Sequence, residues 1–109
     1  MKRGELWVVA GGGDYTGKPR PVVILQNDHF EHLSSVTVCA LTSDPTDAPL
    51  FRTDLMPGPE NGLREVCRVM VDKITTVRRE RLSRRIGSLS ATDMRRIDRA
   101  ILLFLGIAG

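Results

Sequence analysis

The chain has 109 residues, 41% of them apolar, which suits one domain with a small core rather than several domains. Its five aromatic residues are too few for a surface that stacks many nucleic-acid bases. The net charge of +3 hides an asymmetry, because residues 1–63 carry a balance of −3 and residues 64–109 a balance of +6.

The first predicted strand, Glu5–Val9, precedes a glycine-rich segment that partly fits a phosphate-binding P-loop. Gly12–Lys18 match the first seven positions of G-x-x-x-x-G-K, but Pro19 replaces the Ser or Thr of the eighth. A P-loop also opens a helix, whereas the sequence here continues as Pro-Val-Val-Ile, which favours a strand. The segment is therefore predicted to feed a second strand, Pro21–Gln26, with Arg20 held between two prolines.

Three more strands follow in the middle of the chain. After a turn or short helix at Asn27–Leu33, alternating and apolar patterns predict strands at Ser35–Ser43, Leu50–Met56 and Arg64–Lys73. Between the last two, Asn61-Gly62 is expected to supply the positive φ angles of a tight turn.

The C-terminal part predicts more strand and then a helix. Residues 74–77 can continue the fifth strand, and Arg84–Leu89 is a possible last one. Ser90 begins a capping-box pattern, and Gly106 fits the end of the helix. Apolar residues recur at helical spacing between them: Met94, Ile97, Ile101 and Phe104. Together the pattern predicts a mainly β (α+β) fold: one domain, residues 1–109, in which a bent antiparallel sheet closes into a small barrel with a C-terminal helix.

Several features bear on location and cofactors. Cys39 and Cys67 lie in apolar runs without a metal-ligand spacing, so buried thiols in a reducing cytoplasm are expected and no metal or other cofactor is. The N-terminus lacks the apolar stretch of a signal peptide, and the apolar run 100–108 is too short to span a membrane. The basic run 77–85 is typical either of a polyanion-binding surface or of a solvated face.

The residues alone allow a metal-free phosphate chemistry. An arginine such as Arg20 can stabilise a five-coordinate phosphorus, Thr42 can add a hydrogen bond, and Asp14 can accept a proton from an RNA 2′-hydroxyl. The competing interpretation is structural: Arg20 pairs with Asp14 at the surface, and Thr42 caps a strand. Other polar side chains expected at strand ends and loops, and in the basic run, are candidate RNA contacts: Lys18, Ser43, Asp72, Lys73, Arg78, Arg79 and Arg81.

The chain resembles the MazF/PemK/Kid family of toxin endoribonucleases nearly from end to end. Lys2–Val9 match the family's first strand, and Gly17–Leu25 its G-x-RP-V-V-V motif. Val36–Ser43 match the strand V-x-V-A-P-I-T-S, and Asn61–Val77 the N-G-L…D-Q-I-x-T-V block. The stretch Arg81–Leu89 is similar to R-L-x-x-x-I-G-x-L.

This resemblance implies an SH3-like barrel, a homodimer and sequence-specific, metal-independent cleavage of single-stranded mRNA. It implies a cognate antitoxin that covers the active site, and contact with operator DNA only through that antitoxin. Arg20 falls on the family's catalytic arginine and Thr42 on its catalytic threonine or serine. The segment before Arg20 is then a loop that covers the RNA phosphate.

The chain departs from relatives at two points. Asp14 stands where several members have a glutamate, one residue further from the arginine, and Met70 stands where Kid-like members have an arginine. Two alternatives on this fold stay open: a CcdB-like gyrase poison and a degenerate homologue that only binds an antitoxin. CcdB-like chains use a tryptophan near the C-terminus, whereas the tryptophan of this chain is Trp7.

Overall fold

Within residues 1–10, 20–45 and 52–108, which the computed structural model describes, six antiparallel strands pack with one α-helix. The strands are β1 (Glu5–Val9), β2 (Arg20–Ile24), β3 (Ser35–Thr42), β4 (Arg52–Leu55), β5 (Cys67–Arg78) and β6 (Leu82–Ser88). The helix α1 spans Ala91–Phe104, and single 3₁₀ turns cover Asp28–Phe30 and Arg79–Arg81. The strands form one sheet in the order β4-β5-β3-β2-β1-β6. The predicted α+β fold with a C-terminal helix is confirmed.

Two strand boundaries differ from the predictions in an informative way. β5 begins at Cys67 and continues to Arg78, because an irregular register near Ala40 lets it bend and resume pairing at Cys39↔Ile74. β6 begins two residues early, at Leu82, which pairs with the end of β1. In the fourth strand, Arg52–Leu55 pairs with β5, and the predicted start at residues 50 and 51 lies outside the described residues.

Apolar side chains are buried on both faces of the sheet. In β2, Val23 faces α1, while Val22 and Ile24 face the other way, so both sides are buried as predicted. The helix-side cluster contains Leu6, Val23, Leu25, Cys39, Leu41, Leu55, Cys67, Val69, Val71, Met94, Ile97 and Ala100. The opposite cluster contains Val9, Val22, Ile24, Val36, Val38, Ala40, Met70, Val77 and Leu82. Trp7 packs on the opposite cluster, so the tryptophan and the helix do not share one core.

The Asn61–Gly62 turn is built differently from its prediction. Gly62 has φ +70°, but Asn61 does not have a positive φ, so the prediction was wrong for that residue. Asn61 is instead a buried hydrogen-bonding centre: its Oδ1 accepts from the N–H groups of Gly58 (3.1 Å) and Leu63 (2.9 Å). Its Nδ2 donates to the Met56 carbonyl at 2.9 Å. The side chain therefore fixes the connection between β4 and β5.

This connection presses against β6 and closes the curved sheet. The Ser88 N–H donates to the Glu60 carbonyl at 2.9 Å. A Cβ on Gly62 would lie 2.2 Å from the Ile86 carbonyl oxygen, and one on Gly87 would lie 2.4 Å from the Asn61 carbonyl. Only glycines allow two backbones to approach so closely.

The helix is capped at both ends as predicted. Ser90 Oγ accepts from the Asp93 N–H at 3.1 Å. At the C-terminus Gly106 has φ +74°, and the N–H groups of Gly106 and Ile107 donate to the Leu103 and Leu102 carbonyls, a Schellman motif.

Past Ala100 the helix leaves the sheet. Met94, Ile97 and Ala100 are buried, but Phe104 is 45% exposed, so its predicted place in the apolar stripe was wrong. We call the exposed apolar group here the helix end: Leu102, Leu103, Phe104, Leu105 and Ile107. Within the described part of the chain, no helix is long and apolar enough to cross a membrane.

Candidate active site

The antiparallel register places the two leading candidates side by side. The β2–β3 ladder ends with Val22 opposite Ala40, and continuing its register by two residues would bring Arg20 level with Thr42. Directly opposed residues have their Cβ atoms about 4.5–5.5 Å apart and share one face of the sheet. Arg20 also pairs with Val9 of β1. The Arg20 guanidinium and the Thr42 hydroxyl, from neighbouring strands, thus lie at the same end of the sheet.

Thr42 combines a structural contact with chemical potential. It is 8% exposed, and its Oγ1 accepts from the Asp44 N–H at 3.1 Å. That bond is the strand-capping contact of the structural interpretation. It occupies a lone pair of the hydroxyl oxygen and leaves the O–H proton to donate to another group.

Arg20 is the first residue of β2 and is partly exposed. Its side chain makes neither a hydrogen bond nor an ion pair to any described residue. Asp14, its candidate ion-pair partner, and Lys18 both lie outside the described residues.

Arg20 and Thr42 both line a cavity of about 720 Å³ at this end of the sheet. Its walls combine apolar and cationic side chains from five strands and from the Asn61–Gly62 turn region. The apolar part is formed by Val8, Pro21, Leu41, Leu63, Cys67 and Ile86. The polar part is formed by Arg20, Thr42, Ser43, Arg64, Glu65, Arg84 and Arg85. Four cations against one carboxylate make this a cavity for an anion with an apolar portion.

The four arginines of the cavity differ in how firmly other residues hold their side chains. Arg85 is anchored, because its Nε pairs with Glu5 at 3.2 Å and it donates to Ser88 Oγ at 2.6 Å. Burial acts to raise the pKa of Glu5, but hydrogen bonds from Trp7 and Lys2 and the charge of Arg85 hold it below its usual value. Arg64 and Arg84 are exposed, and neither forms an ion pair with a described residue. They remain able to bind an incoming anion.

Cys67 contributes a thiol to the wall but no nucleophile. Burial, and then the charge of Glu65, raise its pKa. The thiol therefore stays protonated near neutral pH, and the thiolate is the reactive form. Burial raises the pKa of Cys39 to about 12, and both cysteines are buried free thiols without a disulfide, as predicted. Across the described residues, no three His, Cys, Asp or Glu side chains gather into a group able to hold a metal ion.

Most of the other predicted RNA contacts within the described residues lie outside this cavity. Ser43 lines it, but Asp72 and Lys73 do not, since β5 runs on past them. Arg79 is a structural residue: its Nε donates to the Leu33 carbonyl at 2.9 Å and its Nη1 lies 3.4 Å from Met1 Sδ. Arg78 Nη1 lies 3.9 Å from Glu80 Oε1, and both side chains are largely exposed. Arg81 is partly buried and also outside the cavity.

Sequence reasoning did not single out Arg64 or Arg84. Arg84 lies opposite Val8 of β1, the strand between β6 and Arg20 on β2, and Arg64 follows the Asn61–Gly62 turn. Alternation along Leu82–Ser88 indicates which arginines share a face. It does not indicate that the turn brings a second segment against them.

Comparison with known proteins places this geometry in a family. Residues 2–105 match the family model described as a PemK-like, MazF-like toxin of type II toxin–antitoxin systems. A "Probable endoribonuclease MazF" of Mycolicibacterium smegmatis is 53% identical, with all of each chain covered.

Two solved structures are similar to this chain in fold. A mycobacterial endoribonuclease in complex with its cognate antitoxin superposes with a TM-score of 0.79, at 23% identity, covering 100% of this chain and 98% of the other. The Mycobacterium tuberculosis toxin MazF-mt6 gives 0.81 at 24% identity, covering 96% and 99%. With the family match over nearly its whole length, this chain belongs to the PemK-like, MazF-like toxins of type II toxin–antitoxin systems.

Proposed function

We propose that this MazF-family endoribonuclease cleaves single-stranded RNA at a short sequence motif, without a metal ion, by attack of the 2′-hydroxyl on the adjacent phosphate. The observation that carries the proposal is that Arg20 and Thr42, at the same end of neighbouring strands, both line a cationic cavity. This pair offers a permanently charged fork and a hydroxyl to one phosphate.

In the proposed reaction, the O2′–P bond forms while the P–O5′ bond breaks. Arg20 donates to the non-bridging oxygens as negative charge develops on the phosphorus, and the Thr42 O–H donates to the same group. A base removes the 2′-hydroxyl proton, and the leaving O5′ gains a proton. The products are a 2′,3′-cyclic phosphate and a 5′-hydroxyl. Asp14 is the candidate base by its place in the sequence, and its contribution is tested below.

Sequence preference is assigned to the apolar part of the cavity. A nucleobase can lie against Leu63 and Ile86 while its polar edge meets Ser43 or Arg64. The backbone phosphates then face the arginines.

The protein partner is proposed to be an antitoxin that occupies the same cavity. The fold neighbour with 23% identity was solved with its cognate antitoxin, and a cationic cavity attracts an acidic segment quickly. Operator DNA is proposed to be contacted only through that antitoxin, and the cytoplasm is the proposed location, since mRNA is the substrate. The gyrase-poison alternative receives no support from Trp7, which is partly buried and donates to Glu5 at 3.0 Å.

The experiment that tests this function is incubation of the purified chain with total RNA in EDTA, followed by sequencing of new 5′-hydroxyl ends. New ends are expected at one short motif, and DNA of the same sequence should bind uncut because it lacks the 2′-hydroxyl. An absolute need for magnesium, or 5′-phosphate ends, would contradict the proposed mechanism. Absence of any cutting by the wild-type chain would favour the degenerate homologue.

A homodimer is proposed to cover the helix end. β1 packs both faces inside the chain, so the apolar character of that strand does not require a partner. The helix end does, because its five apolar residues are 38–70% exposed.

Light scattering at micromolar concentration is expected to give twice the chain mass of 12.1 kDa. Leu103→Glu should shift the species to the monomer, because it places a charge in the apolar interface. Thr92→Glu, at the other end of the same helix, should leave the dimer intact. A wild-type monomer at these concentrations would refute the proposal.

A further inference from the structure

A second arginine lies beside Thr42 on the side away from Arg20. In the ladder of β3 and β5, Thr42 is paired with Arg68, and Arg68 is paired in turn with Asp54 of β4. Arg20 continues the β2–β3 register to the level of Thr42, so four polar side chains lie at one level across four neighbouring strands. We call them the polar row: Arg20, Thr42, Arg68 and Asp54. Since directly paired residues share a face, the polar row lies on one side of the sheet.

The guanidinium of Arg68 is held in place by two contacts. Its Nε lies 3.1 Å from Asp54 Oδ1, and its Nη1 is 3.4 Å from the Asp44 carbonyl oxygen. The Asp44 N–H donates to Thr42 Oγ1, so the same residue contacts Arg68 and the proposed catalytic hydroxyl. The Arg68 side chain remains 23% exposed. It is thus preorganised next to Thr42 and accessible to solvent.

These contacts leave part of the donor fork unused. A guanidinium has five N–H donors, and the two contacts engage the Nε and Nη1 groups. The Nη2 edge has no hydrogen bond to a described residue. Asp54 is 53% exposed, so water screens its charge and the site retains attraction for an anion.

The distance along the polar row separates Arg68 from the scissile phosphate. Neighbouring strands are about 4.8 Å apart, so the Arg20 and Arg68 backbones are two spacings, or about 10 Å, apart. Asp54 pairs with Arg68 from β4, on the side away from Arg20, which keeps the guanidinium from reaching back. An RNA strand that runs along the polar row from Arg20 to Arg68 would place the phosphate next to the scissile one on this side of Thr42.

We propose that Arg68, positioned by Asp54, binds the phosphate next to the scissile one and fixes the direction of the RNA across the sheet. This inference rests on the proposed function, because it takes the phosphate at Arg20 and Thr42 as the one that is cleaved. Arg68 is a substrate-binding residue outside the bond-breaking step. This role also accounts for an arginine at position 68 of β5, a strand that has the apolar Met70 nearer its bend.

The test compares Arg68→Ala, Arg68→Lys and the control Arg95→Ala, whose arginine is exposed on α1. The probes are oligoribonucleotides carrying the cleavage motif mapped from total RNA, with a 2′-deoxy sugar at the scissile position so that they bind uncut. One set ends at the scissile linkage, and the other continues by one or two nucleotides on each side. Binding is measured from low to moderate salt.

With the longer probes, Arg68→Ala is expected to weaken binding by about tenfold and to reduce the log–log salt slope by about 0.7, the loss of one phosphate contact in a single strand. With the shortest probe it should match the wild type. Arg68→Lys should keep the slope but lose affinity, since an ammonium cannot present the fork. Cleavage of the unmodified long substrate should show a raised KM and an unchanged kcat. Arg95→Ala should change none of these values.

Equal losses on short and long probes, an unchanged salt slope, or a fall in kcat together with a lowered melting temperature would overturn the proposal. The two hypotheses fail separately. If the wild-type chain binds RNA without cleaving it, an arbitrary single-stranded oligoribonucleotide replaces the mapped probe. Loss of affinity and slope in Arg68→Ala alone would then leave the phosphate contact standing while the proposed nuclease function falls. Cleavage by the wild type, with no effect of Arg68→Ala on affinity or salt slope, would leave the nuclease function standing and overturn the role of Arg68.

Discussion

Replacing Arg20 by alanine is expected to lower the rate of RNA cleavage by about 10²–10³-fold, or roughly 2.7–4 kcal/mol of transition-state stabilisation. The charge that develops on the phosphorus loses a preorganised donor that no other described side chain of β2 can replace. The fold should be unaffected, because Arg20 is partly exposed at the start of its strand and makes no ion pair with a described residue. Single-turnover cleavage and thermal melting on the same sample measure both effects.

Variants of the neighbouring groups complete this experiment. Thr42→Val removes the hydroxyl at nearly constant volume and should also be strongly impaired, whereas Thr42→Ser should retain activity. Arg20→Lys should be impaired, since it keeps the charge but loses the fork. Asp14→Asn separates two versions of the mechanism: a loss as large as that of Arg20→Ala makes Asp14 the base, and a small loss, which we expect, makes it a positioning residue. Near-native cleavage by Arg20→Ala with an unchanged melting temperature would invalidate the site.

A methyl group at Gly62 or Gly87 is expected to destabilise the protein by roughly 1–3 kcal/mol or more, because backbone atoms would have to separate. At Gly62 the added Cβ would lie 2.2 Å from the Ile86 carbonyl oxygen, and φ +70° adds backbone strain for any other residue. Gly87→Ala meets the Asn61 carbonyl at 2.4 Å. Denaturant unfolding of Gly62→Ala and Gly87→Ala measures this loss.

Gly58→Ala is the matched control in the same connection. A Cβ there meets no atom within 4 Å, and its φ is not positive, so stability should be unchanged or slightly raised. If Gly62→Ala and Gly87→Ala also kept wild-type stability, the close contact between the turn and β6 would not exist in solution. Since the turn carries Leu63 and Arg64 into the cavity wall, residual folded protein should also bind RNA more weakly.

The sequence supports the strands and the leading pair better than it supports the cavity. Alternation and runs of β-branched residues are local signals, so β2 and its entrance at Arg20 are predicted within one or two residues. Because β2 and β3 are antiparallel neighbours, Arg20 at the start of one and Thr42 at the end of the other then lie at the same end of the sheet.

The parts that escape prediction depend on contacts between distant segments. Asn61-Gly62 gives a turn signal, but the buried hydrogen bonds of Asn61 and the approach of Gly87 exist only when β6 is in place. The exposure of Phe104 likewise depends on where the sheet ends beneath the helix, which helical spacing does not encode. The basic run looks uniform in sequence, yet Arg79 anchors a loop while Arg84 lines the cavity.

The polar row has a consequence for how such a toxin can diversify. The position of Arg20 is set by its pairing with Val9 of β1, and that of Thr42 by its pairing with Arg68 of β5, and not by the length of the segment that precedes Arg20. Insertions, deletions and substitutions in residues 11–19 that spare Asp14 are therefore expected to leave the spacing of Arg20 and Thr42 unchanged. A shift of β2 by a single residue, in contrast, would send Arg20 to the other face of the sheet. Selection can thus change the segment before Arg20 without moving Arg20 or Thr42 within the sheet.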